Sequence, residues 1–129
     1  MYDPNDPLLA RVREIALAFP EAAEKVSHGH PAFFTKKVFC YFGGSRKVDG
    51  EWHQHEQSIL FLPEPDERPA LEADDRIWVP AYLGGAGWLG LDLDHTDWEE
   101  VAELLEDSYR ATAQKRLVTV LNDRAASSD

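Results

Sequence analysis

The sequence predicts an α+β domain, and three observations predict it. Apolar residues recur at helical spacing near the start, several β-rich runs fill the middle, and helical spacing returns from Trp98 onward. Strands and helices do not alternate, so a parallel βαβ architecture is not expected. At 129 residues the chain suits one domain, read as residues 1–129 with terminal tails over about 1–6 and 123–129.

Each element has a local cause. Asp6 before Pro7 is a helix start, and Leu8, Leu9, Val12, Ile15, Ala16 and Phe19 then form one apolar stripe ending at Pro20. Residues 31–35 and 38–42 are β-rich and separated by Lys36-Lys37, which predicts a hairpin. Residues 43–55 turn polar, with Gly43-Gly44-Ser45 and Asp49-Gly50 as turn signals, and read as a long loop or loose hairpin. Further strands are expected over residues 58–62, 76–79 and 88–94, with a short helix between the first two. Thr96 and Glu99 read as a capping box for a helix carrying Trp98, Val101, Ala102 and Leu105. Ser108 is expected to bend or restart it, and the last helix runs to about Leu121.

Composition restricts function. Lysine and arginine number 13 against 24 aspartates and glutamates, a net charge of −11 with histidine neutral. That balance repels phosphate backbones unless the bases gather on one face. Two groups are candidates for such a face: Lys36, Lys37, Arg46 and Lys47, and Arg110 with Lys115 and Arg116. Beside exposed aromatics such as Trp52, Tyr82 or Trp88 they would form a single-stranded nucleic-acid groove. No apolar run approaches the roughly 20 residues that cross a bilayer. The first residues lack a signal peptide's basic and apolar regions, so no membrane partner and a cytoplasmic location are expected. The single cysteine, Cys40, excludes an internal disulfide and a cysteine-based zinc cluster.

Among short motifs, Gly85-Ala86-Gly87-Trp88-Leu89-Gly90 has the letters of a dinucleotide fingerprint. The chemistry requires a helix after the glycines, whereas a period-2 strand is expected there, so a plain turn is the reading and no cofactor is assigned. His28 with His30, and His53 with His55, are i, i+2 pairs that would hold a divalent metal only if both converged. No nucleophile elbow and no phosphate-binding loop occur, and none of the carboxylates stands out, so no catalytic residue is assigned.

Four stretches together resemble the MmcQ/YjbR family: residues 18–21; 27–34 with 37–39; 79–84 with 87–90; and 97–98 through 107–110 to 115–117. The resemblance implies a CyaY-like or secretion-chaperone-like fold, an antiparallel sheet backed by N-terminal and C-terminal helices. Members are commonly labelled predicted DNA-binding proteins, so it implies a non-enzymatic binding module with DNA as partner. The alternative is a small-molecule or metal-binding protein. If residues 27–31, 82–88 and 115–116 meet, then His28, His30, Tyr82, Trp88, Lys115 and Arg116 form a concave site for an anion or a small planar ligand.

Overall fold

The structure, a computed structural model, describes residues 2–127. The chain order is α1 (Pro7–Ala16), β1 (Ala23–Ser27), β2 (His30–Phe34), β3 (Val38–Val48) and β4 (Glu51–Phe61). It continues with α2 (Arg68–Glu72), β5 (Ile77–Trp78), a 3₁₀ turn (Leu83–Ala86), β6 (Leu89–Asp92), α3 (Trp98–Thr112) and α4 (Lys115–Ser127). All pairings are antiparallel, in one sheet ordered β1-β2-β3-β4-β6-β5. The fold is α+β, as the pattern order predicts.

Alternation along the strands separates two faces. Phe33, Phe39, Phe42, Ile59, Phe61, Leu89 and Leu91 meet Leu9 and Val12 of α1, Val101, Leu105 and Tyr109 of α3, and Leu117 of α4. Phe19 stacks on Tyr109 and meets Phe39 edge-on, and Tyr109 donates its hydroxyl to Pro20 O. Cys40 is buried in this core, and burial pushes its thiol well above the usual range, which leaves it inert.

Several local readings change. Over residues 43–55 the hairpin alternative holds and the long loop does not, because β3 and β4 continue to a two-residue turn at Asp49-Gly50, both at positive φ as the twist of paired strands favours. β1 has a mostly exposed edge pattern with no apolar alternation to announce it. Asp97, not Thr96, caps α3 by accepting from Glu99 N, while Thr96 Oγ1 donates to Asp92 O. Ser108 neither bends nor restarts the helix. It is buried inside α3, donates to Phe39 O and accepts from Leu62 N, and so ties the helix to β3 and the end of β4. The break comes at Ala113 and Gln114, and α4 reaches Ser127, past the point where the tail is read; residues 128–129 lie outside the described residues.

No described helix covers the second face. Ala32, Tyr41, Leu60, Trp78 and Trp88 pack together there, with Leu62 and Leu83 at the margin. Gly90 makes this possible: a Cβ would stand 2.7 Å from the Trp78 indole. Residues 79–87 leave β5 at one edge, cover this face as a strap and return to β6. Ala81 N donates to Ser45 O at 2.8 Å and Arg68 donates to Gly87 O, which fixes both ends of the strap. Gly87 is followed by β6, so the glycine letters have no helix on which to seat a pyrophosphate.

Candidate ligand-binding cleft

Between the strap and the β1–β2 turn the second face opens into a cleft of about 460 Å³. That volume is within the usual range for small-molecule sites. Tyr41, Leu60 and Leu83 give it apolar walls, Gly43 and Gly44 its floor, and Ser27, His28, His30, Ser45 and Tyr82 its polar groups. None of its lining residues is an aspartate or glutamate. A groove of similar volume, about 440 Å³, is different in kind, being lined by Asp3, Asp6 and Glu56 with Gln54 and Gln57.

The turn that presents the histidines follows from the sequence. Ser27 pairs with His30, and the loop residues His28 and Gly29 have φ of 53° and 80°. Glycine takes this conformation without cost; His28 accepts it and is exposed at the tip. His30 is the first residue of β2 and packs against Gly43, where φ is +85° and a Cβ would stand 2.9 Å from His30 Nδ1. His30 Nδ1 is buried with no hydrogen-bond partner among the described residues. Burial holds the His30 imidazole below its usual range, outweighing the raising effects of the Phe42 backbone and the Glu56 charge, so it is neutral near pH 7.

Tyr82 stands at the mouth and is 87% exposed. Its φ of 63° and ψ of −58°, with Leu83 N donating to Ala81 O at 2.7 Å, define a γ-turn of the rare, strained hand. Its ring stacks on Trp52 with centroids 6.0 Å apart, and Lys47 Nζ lies 5.7 Å from the centre of the Trp52 ring. A strained backbone that displays an exposed aromatic at a cleft is a feature of binding sites more than of scaffolds.

Of the residues read as one site, His28, His30 and Tyr82 line the cleft. Trp88 is buried beneath, edge-on to Tyr41, and supports the wall without lining it. Lys115 and Arg116 do not join them: they begin α4, and Arg116 pairs with Glu21 at 2.7 Å. The expectation that residues 115–116 meet the other two segments is therefore corrected; α4 packs against the opposite face of the sheet. Tyr41 and Leu60 read in the sequence only as strand residues, and Gly43, Gly44 and Ser45 only as a turn signal, not as parts of a site. The Gly43-Gly44 pair directly after an aromatic strand was the available signal.

The metal and nucleic-acid sets are not assembled either. His30, His53 and His55 lie on strands, not loops. His55 stacks on Trp78 with centroids 4.1 Å apart and its Nδ1 is 2.8 Å from Asp92 Oδ1, whereas His28 and His30 face the cleft. Among the described residues the only convergent donor group is Glu64, Glu67 and Asp107, so the two histidine pairs do not meet. Lys36 and Lys37 lie at one end of β3 and Arg46 and Lys47 towards the other, roughly 30 Å apart along the strand. Arg110, on α3, bonds Glu106 and Asn122. The bases do not form one strip.

Comparison with known protein families matches residues 17–111 to YjbR. The chain belongs to the YjbR family. The matched segment holds every residue that lines the cleft, while Lys115 and Arg116 lie beyond it. No curated protein and no solved structure matches the chain. Among the described residues no helix is long and apolar enough to cross a membrane.

Proposed function

We propose that this YjbR-family chain is a small-molecule-binding domain whose ligand occupies the cleft under the strap. The observation that carries the reading is the mostly apolar cleft, closed by three separate segments, two of which hold a non-glycine residue, His28 or Tyr82, at positive φ. Apolar walls with a few convergent polar groups suit a flat ligand held by burial and oriented by one or two hydrogen bonds. Serines and histidines share the lining, but among the described residues no hydrogen bond joins the Ser27 or Ser45 hydroxyl to the His28 or His30 ring, so we assign no activated nucleophile and read a binding role.

The test uses the neutral dye N-phenyl-1-naphthylamine, whose emission rises on entering an apolar site. One dye is expected to bind per chain, and Leu83→Trp, which enlarges an apolar wall of the cleft, is expected to weaken it about tenfold or ~1.4 kcal/mol. Unchanged affinity in Leu83→Trp would sink the reading.

A second reading, single-stranded nucleic acid, is favoured by the exposed Trp52–Tyr82 stack with Lys47 beside it, which has the character of a base-stacking platform. The net charge of −11 and the separated bases oppose it. An anisotropy titration with single- and double-stranded DNA across salt decides: affinity that stays millimolar at low salt removes this partner.

A further inference from the structure

We infer that the cleft's ligand is a flat aromatic molecule carrying an anionic, hydrogen-bond-accepting group such as a carboxylate, sulfonate or phosphate. This rests on the small-molecule reading above and specifies its chemistry.

In a chain with 24 acidic residues among 129, the cleft has none, while the neighbouring groove collects Asp3, Asp6 and Glu56. Glu56 is the carboxylate whose charge reaches His30, and it lines that other groove instead of the cleft. A cationic ligand would therefore lose its hydration in the cleft with no carboxylate to replace it.

The groups that are present suit the opposite charge. His28, His30, Ser27 and Tyr82 each bring an N–H or O–H able to donate to an anion. The cation Lys47 stands at the mouth beside Trp52, whose ring continues the surface of Tyr82. Tyr41 and Leu60 on one side and Tyr82 and Leu83 on the other provide apolar surface for a ring, with the charged end directed to the His28 and Lys47 margins.

The test compares two dyes that differ by one group, N-phenyl-1-naphthylamine and its sulfonated analogue 1-anilinonaphthalene-8-sulfonate, on the full chain. The sulfonate is expected to bind about fivefold tighter, and His28→Asn and Lys47→Met are each expected to cost it about threefold while the neutral dye changes less than about twofold. Asn tolerates the positive φ of His28, and both positions are exposed, so thermal melts should match the parent. Equal affinity for the two dyes, or equal losses for both in these variants, would overturn the anionic assignment and leave the cleft reading intact. If Leu83→Trp displaces neither dye, the cleft reading itself falls and this inference with it.

Discussion

Replacing Asp107 should stabilise the protein only above mildly acidic pH. Asp107 lies on α3 with oxygens of Glu64 and Glu67 so placed that all three are within 4.8 Å of one another. Burial, followed by the charges of Glu67, Glu64 and Glu106, pushes its carboxyl from 3.8 up to about 6. The folded chain therefore holds this proton more tightly than the unfolded chain. The stability so gained is fully present below pH 3.8 and is lost as the pH rises through about 6. At about 1.4 kcal/mol per unit, the interval corresponds to ~3 kcal/mol. Asp107 is only partly buried and Glu64 and Glu67 are exposed, so solvent screening reduces this to about 1 kcal/mol. Asp107→Asn keeps the shape and cannot ionise. Denaturant unfolding should therefore give equal stabilities near about pH 4 and a variant more stable by about 1 kcal/mol near about pH 7.5. A gap that stays constant across that range would refute the reasoning.

Three further outcomes follow from named contacts. Ser108→Ala leaves Phe39 O and Leu62 N without their side-chain partner, and should cost about 3 kcal/mol, read as a fall in Tm of roughly 10 °C; a fall below about 2 °C would remove the bridging role. Gly43→Ala combines a left-handed backbone with a Cβ 2.9 Å from His30 Nδ1 and 3.1 Å from Glu56 O. A cost of about 2 kcal/mol and a moved His30 imidazole signal in NMR are expected, and an unshifted signal would count against the packing described. Tyr82→Gly relieves the strained γ-turn but deletes the Trp52 stack, so Tm should move by less than about 4 °C while dye affinity falls about tenfold; a large loss of stability with unchanged dye binding would make Tyr82 structural.

What the sequence revealed depended on whether one face of a segment was buried. α1, the cores of β2 and β3, and the end of β4 carry apolar residues in register with the sheet, and these elements were legible. β1 is an edge strand whose residues are mostly exposed, and the distal halves of β3 and β4 are largely wet, so neither has the alternation that identifies a strand. Only Asp49-Gly50 marked the hairpin, and it reads equally as a loop. The same limit applied to the site. His28, His30 and Tyr82 stood out as polar or aromatic residues in turns, whereas the Gly43-Gly44 floor and Leu60 depend on which strand neighbours which. Lys115 and Arg116 were adjacent in pattern but not in space, because α4 packs on the helix side of the sheet.

The position of the cleft follows from the connections. β1 to β4 are joined by short turns, and α1, α3 and α4 come before or after the strands, so all three can collect on one face. α2 joins β4 to β5 and sends Leu71 to that same face, which leaves the β5–β6 connection to cover the other. A helix there would carry its own backbone hydrogen bonds and fill the face with side chains. A strap must borrow partners instead, as Ala81 does from Ser45, and it reaches that partner only where β2 has ended at its turn and left the β3 edge open. The strap and the β1–β2 turn therefore reach the same edge of β3 at successive positions, and the gap between them is the cleft. On this account the site depends on where β2 stops, so lengthening the His28-Gly29 turn would close or displace it while leaving the helix-side core intact.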